Sequence, residues 1–232
     1  MSIADKLQTI AENEQKIHDE VVGQSDLIAQ IKAKVNSLPE AGGGGGGENK
    51  LAGLVDGTIT ELTAEDLAGA TKIAKNAFSY NASLTSIEIP DSVTTIEANA
   101  FSNCNVLNSV KFSNSVTKIN TLSFSYCKSL KTVTIPNSVT FIDNQAFWDC
   151  DSLTSVEFGN GINTIGAYAF YSCDTLKRLD FSTHSQIPTI QIDAFSNNST
   201  LQIKVPASLI DSWKSATNWS NYASKIVTEF TN

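Results

Sequence analysis

The chain has 232 residues, 41% of them hydrophobic, and a formal net charge of −8. That length suits one medium domain or a domain with an appendage. An acidic balance without clustered Lys and Arg argues against binding to a nucleic-acid backbone or an anionic membrane. No apolar run reaches the roughly 18 residues that a spanning helix needs, so no membrane insertion is expected.

Residues 1–38 read as a coiled-coil helix. With Ile3 at heptad position a, the seam is Ile3, Leu7, Ile10, Ile17, Val21, Ile28, Ile31, Val35 and Leu38, nine apolar residues among eleven a and d positions. A strict 3.5-residue period keeps one stripe facing a partner helix, so the chain is expected to form a homo-oligomer. β-branched residues at both a and d favour a trimer. Gln24 and Glu14 interrupt the stripe, and Gly23 weakens the helix interior by about 1 kcal/mol. The opening "MSIADKLQTIAENEQK" has neither a basic n-region nor an apolar h-region, so no secretion signal is expected there.

Pro39 stops this helix, and "PEAGGGGGGENK" over 39–50 reads as a flexible tether. It would span on the order of 15–20 Å root-mean-square. No Lys-Ser/Thr follows the glycines, so they are not a phosphate loop. Residues 51–72, including "LVDGTITELTAEDLAGATK", do not share the period of the residues C-terminal to them and read as an N-terminal cap. Thr63 before Glu65 and Asp66 predicts the start of a short helix.

A repeat occupies 73–205. Phenylalanines stand at 78, 101, 124, 147, 170 and 195, and leucines at 84, 107, 130, 153, 176 and 201. Every spacing is 23 except the last, which is 25 because of "STHSQIP" between Phe181 and Ile190. The leucine begins "LTSIEI", "LNSVKF", "LKTVTI", "LTSVEF" and "LKRLDF", the pattern of a leucine-rich-repeat solenoid. Each turn lays down a short strand with alternate residues inward, such as Ile87 and Ile89, while Val93, Ile96 and Phe101 fill the opposite wall. Stacked turns then share one apolar column. The expected architecture is an α/β repeat: a solenoid with short parallel strands, preceded by a coiled-coil helix and a Gly linker, and closed by a helical cap over 206–232.

"IPDSVTTIEANAFSNC" and "IPNSVTFIDNQAFWDC" resemble the BspA-type leucine-rich repeats of bacteria, with Pro-x-Ser-Val, Ala-Phe and Cys-x-x-Leu all in phase. The segment "VPASLIDSWKSATNWSNYASKI" is similar to the one that closes such arrays. The resemblance implies a binding or display module rather than an enzyme. The opening "MSIADKLQTIAENEQK" is similar to the starts of phage and prophage structural proteins of gut Firmicutes.

Cys104, Cys127, Cys150 and Cys173 each lie three residues after the repeat Phe, in the slot that Asn81 and Asn198 hold elsewhere. Rungs about 4.8 Å apart keep their Cβ atoms farther apart than a disulfide's usual 3.8 Å or so. A column also cannot converge on a metal, and the only histidines are His18 and His184. The four read as a structural ladder donating to turn carbonyls. No catalytic constellation, metal site or cofactor is expected.

Two surfaces could bind. Outward strand residues form the columns Ser86, Ser109, Thr132, Ser155, Arg178, Gln202 and Glu88, Lys111, Thr134, Glu157, Asp180, Lys204. Only Arg178 among them is a usual interface anchor. On the turns, Tyr80, Tyr126, Trp148 and Tyr171 follow the repeat Phe by one or two positions and could stack on a sugar or a protein side chain. The favoured function is a phage tail-associated protein that presents its repeat head for host attachment and so resides on a virion. Its partners would be other copies of itself, other tail proteins, and a cell-surface protein or glycan. The alternatives are a BspA-like surface or secreted adhesin and an intracellular scaffold.

Overall fold

A computed structural model of the protein describes residues 60–195 and 200–231. The coiled-coil segment 1–38, the tether 39–50, residues 51–59 and Asn198 lie outside the described residues.

Each complete coil, usually 23 residues long, contributes one strand to each of two parallel walls. The first wall holds β1 (Glu61–Leu62), β3 (Ser86–Glu88), β5 (Ser109–Lys111), β7 (Thr132–Ile135), β9 (Ser155–Phe158), β11 (Arg178–Asp180) and β13 (Gln202–Lys204), with β14 (Ile226–Val227) added at its end. The second holds β2 (Lys72–Ile73), β4 (Thr95–Ile96), β6 (Lys118–Ile119), β8 (Phe141–Ile142), β10 (Thr164–Ile165) and β12 (Thr189–Ile190). The result is a parallel-strand solenoid of about seven turns. Like residues pair with like: Ile73, Ile96, Ile119, Ile142, Ile165 and Ile190 form one unbroken inward line. The first wall is interrupted once, because β5 and β7 are not paired, leaving groups of three and five strands.

The repeat phenylalanines stack between the walls. Centroid distances along Phe78, Phe101, Phe124, Phe147 and Phe170 are 5.1, 4.9, 5.2 and 5.0 Å, with planes within 10° of parallel. That period follows the strand spacing of roughly 4.8 Å. The two-residue insertion shows in the last step, where Phe170 to Phe195 opens to 5.7 Å and 23°.

The turns carrying these rings have an alternating backbone. In the first, the N–H groups of Asn76, Phe78 and Tyr80 donate to Ala98, Ala100 and Ser102 of the next coil, while Ala77, Ser79 and Asn81 donate back three residues. This geometry sets positive φ at two sites per turn, among them Asn76 and Tyr80, Asn99 and Asn103, and Leu122 and Tyr126, all between 56° and 61°. A left-handed residue costs about 1–2 kcal/mol when it is not Gly or Asn. The coil-to-coil hydrogen bond offsets that cost, as in Tyr126 N–H to Trp148 O at 2.7 Å. The helix expected at Thr63 is instead a pair of turns: Asp66 accepts from both Thr63 N–H and Oγ1–H at 2.8 Å, and Gly69 at φ 84° ends the run.

All four cysteines are free and buried. The thiols of Cys104, Cys127, Cys150 and Cys173 donate to the carbonyls of Phe78, Phe101, Phe124 and Phe147 at 2.9, 3.2, 3.2 and 3.1 Å. Asn81, in the same slot, works in the opposite sense: its Oδ1 accepts from the N–H groups of Ser83 and Leu84. Burial pushes Cys104 up to about 12 and holds Cys127 and Cys150 well above the usual thiol range.

After β13, side chains bond backbone groups of the preceding coil. Phe195 N–H donates to Tyr222 Oη at 3.2 Å, and Asn218 Nδ2 donates to Ile190 O at 2.6 Å. Trp213, on helix α1 (Ile210–Ser215), and Trp219, on a 3-10 helix (Trp219–Lys225), are fully buried against Phe181. Trp219 Nε1–H donates to Pro188 O at 2.7 Å. His184, from the insertion, packs edge-on to Phe181 and Trp213 with neither ring nitrogen in a hydrogen bond. Burial lowers its pKa, against weaker opposing effects of the Phe181 carbonyl and Asp180.

These buried groups make two measurable differences. At about pH 8 the native thiols should resist an aromatic disulfide reagent and react only on denaturation, and Cys150→Ala should cost about 1–2 kcal/mol in urea unfolding. Rapid reaction of the folded protein would contradict the buried ladder. His184 is held neutral, with a folded pKa below the unfolded value of about 6.5. Its contribution to stability is therefore complete above about pH 6.5 and lost as pH falls below it. Melting curves from pH 7 to 5 should decline less steeply for His184→Phe than for the unaltered chain, and equal slopes would refute the assignment.

Candidate binding surfaces

Strand alternation and turn geometry present two faces to solvent, the outer side of the first wall and the ridge of turns. On the ridge, Tyr126 and Trp148 lie on consecutive coils with centroids 5.4 Å apart and planes tilted by 45°. Tyr171, one coil on, meets Tyr168 edge-on at 5.5 Å. All four rings are half-buried. Tyr80 lies two coils before Tyr126, with Asn103 in the slot between. The slot just after the repeat Phe explains where the ridge begins. Ser102 and Ser125 are small enough to turn inward and bond each other at 2.9 Å, whereas Trp148 and Tyr171 in the same slot are too large and stand outward.

Sequence reasoning missed Tyr168 because only positions after the Phe were considered. Tyr168 precedes it by two, at φ 57°, and an aromatic residue where Asn99 and Asn76 stand was the available signal.

The ridge carries charge as well. Lys128 Nζ lies 5.9 Å from the Tyr126 ring centroid and pairs with Asp149 at 3.0 Å and Asp151 at 2.9 Å. Partial burial alone would lower the Lys128 pKa, but its hydrogen bonds to Asp151 and Asp149 outweigh this and raise it. Asp149 is also raised, first by burial and then by the neighbouring Asp151, with Lys128 opposing. The arrangement supplies π faces beside carboxylate acceptors and one shared cation.

On the first wall the two outward columns are in register. Thr132, Ser155, Arg178 and Gln202 pair in line, as do Thr134, Glu157, Asp180 and Lys204. Ser86 faces Ser109, and Glu88 faces Lys111, where an ion pair forms at 3.2 Å. The like charges Glu157 and Asp180 are direct neighbours. Beside the β5–β7 interruption lies an open groove of about 590 Å³, lined by Lys111, Phe112, Thr134, Glu157, Asp180 and Thr183 among others. Arg178 is already engaged, its guanidinium 5.3 Å from the Phe230 ring.

Among the described residues no cluster of three His, Cys, Asp or Glu side chains could hold a metal ion. No helix among them is long and apolar enough to cross a membrane. The four cysteines form a buried line, and burial raises the thiol pKa of Cys104, Cys127 and Cys150.

Comparison with curated proteins finds no match. Among solved structures, the chain is similar to a T. pallidum leucine-rich repeat protein, at 24% identity and a TM-score of 0.51, over 64% of this chain and 63% of that one. It is also similar to the pneumococcal vaccine antigen PcpA, at 20% identity and a TM-score of 0.50, over 75% of this chain and 40% of that one. This chain thus spans less than two thirds of either relative, and at these identities the likeness is one of fold. Six copies of the BspA type leucine rich repeat region match residues 71–211, and the chain belongs to that repeat family.

Proposed function

We propose that the chain is a non-catalytic binding and display module, carried on a phage virion as a tail-associated protein, whose repeat domain attaches to a host surface. The turn ridge carries the reading. Tyr126, Trp148 and Tyr171 stand half-exposed on consecutive coils, and the turn backbone beneath them is fixed by hydrogen bonds such as Tyr126 N–H to Trp148 O and Asp149 N–H to Tyr171 O. Aromatic rings on a fixed backbone offer large contact area with little side-chain entropy to lose. Such a ridge fits a cell-surface protein or glycan.

The coiled-coil segment 1–38 and the tether 39–50 add a physical reason for this role. A trimeric stalk would hold three heads together, and a flexible tether would let each search a surface, so avidity rises without new contacts. Other tail proteins would hold the stalk end. The resemblance of "MSIADKLQTIAENEQK" to phage structural proteins supports the virion location. A second reading, a BspA-like surface or secreted adhesin binding host protein, is favoured by the family membership. An intracellular scaffold would use the first wall rather than the ridge.

Replacing both Trp148 and Tyr171 with Ser should lower attachment to host cells by about tenfold or more, the scale of losing interface anchors. The melting temperature should change little. Undiminished attachment of the folded double variant would dismiss the ridge. Light scattering at micromolar concentration should give three times the monomer mass of 24.9 kDa, and a monomer would remove the stalk. The chain should co-sediment with phage particles; recovery in the host envelope fraction instead would favour the adhesin.

A further inference from the structure

Beyond β14 the chain turns back onto the first wall. The Phe230 ring lies against both Arg178, at 5.3 Å, and Lys204, at 5.7 Å. Lys204 also pairs with Glu229 at 3.2 Å. Gln202 grips the next residue with both ends of its amide: Oε1 accepts from Thr231 N–H at 2.9 Å, and Nε2 donates to Thr231 Oγ1 at 2.6 Å and to its carbonyl at 3.4 Å.

Arg178, Gln202 and Lys204 sit next to one another in the two outward columns. Together they offer two cations for a ring face and a carboxylate, and one amide that reads a main-chain N–H. The corresponding outward positions of β7 and β9 are Thr132, Thr134, Ser155 and Glu157, which supply no cation.

The segment is held lightly. Its ion pair and its Gln202 bonds are exposed, and the Glu229 side chain is 82% exposed. Contacts of that kind add little each to stability. The chain's anchor is Ile226, buried one strand earlier and paired with Ile203. The segment 228–231 can therefore lift while β14 stays in place.

We infer that Arg178, Gln202 and Lys204 form a peptide-recognition site for an extended segment of a partner protein carrying an acidic residue followed by an aromatic one. Glu229, Phe230 and Thr231 occupy that site within the chain until displaced. The partner gains the same cation–ring contact, ion pair and amide clasp that the internal segment makes. This site lies on the first wall and is independent of the ridge.

The test uses the full chain, a dye-labelled hexapeptide matching residues 227–232, and fluorescence anisotropy. Deleting residues 229–232 strips the internal competitor, Thr231 included, without touching β14. This truncated variant should bind the peptide at least about tenfold tighter than the unaltered chain does, because the site is no longer occupied. Adding Gln202→Ala should abolish that binding, and a scrambled hexapeptide should not bind. Equal affinity for the unaltered and stripped chains, or binding that survives Gln202→Ala, overturns the proposal. A second measurement needs no variant: excess peptide should accelerate hydrogen exchange at the Thr231 amide of the unaltered chain, and an unchanged rate overturns the proposal equally.

Discussion

The described solenoid depends on main-chain hydrogen bonds running from one coil to the next along the second wall and the turns, and along the first wall on either side of the β5–β7 junction. They set an interval of about 4.8 Å, and every side-chain column inherits it. Phenylalanine rings stack because their coils are that far apart, and isoleucines line up because the second wall pairs without a slip. Thiols reach the carbonyl of the Phe in the coil before for the same reason. In such an array each coil is supported mainly by its neighbours. After β13, Tyr222 and Asn218 bond the backbone groups of Phe195 and Ile190 in the preceding coil.

The same interval makes the surface useful. Residues 23 apart are neighbours in space, so a change in one slot of two successive repeats creates a patch. Trp148 and Tyr171 in place of Ser102 and Ser125 turn an inward serine pair into an outward aromatic ridge. Lys128, Asp151 and Asp174 occupy one slot of three successive coils. Lys128, beside the Tyr126 ring, bridges to both Asp149 and Asp151. On the first wall the equivalent logic gathers Arg178, Gln202 and Lys204.

Whatever obeys the period was legible in the sequence. The spacing of Phe and Leu implies the coils, alternation within "LTSVEF" separates inward from outward residues, and counting by 23 lines up the columns. What breaks the period was not legible. The unpaired junction between β5 and β7 interrupts a repeat whose Leu107-to-Leu130 spacing is regular, and nothing in "LNSVKF" signals it. The return of Phe230 to Arg178 joins residues in unlike slots, so no repeat arithmetic could find it. The opposite hydrogen-bonding sense of Asn81 was hidden because a slot that tolerates both Asn and Cys does not reveal which atom works there. Tyr168 escaped because it stands where a left-handed residue is required and most other coils carry a small polar one.

The left-handed sites also govern how this surface can be remodelled. Among the described residues, the slot two past the repeat Phe, held by Tyr80, Asn103, Tyr126, Asp149 and Ser172, has positive φ throughout. A branch at Cβ is poorly tolerated there, so valine, isoleucine and threonine are closed to it in any descendant of this chain. The slot immediately after the Phe carries no such restriction and already ranges from Ser102 to Trp148. A lineage in which this surface comes to contact something new would therefore rewrite that unrestricted slot first, with its neighbour following from a narrower alphabet.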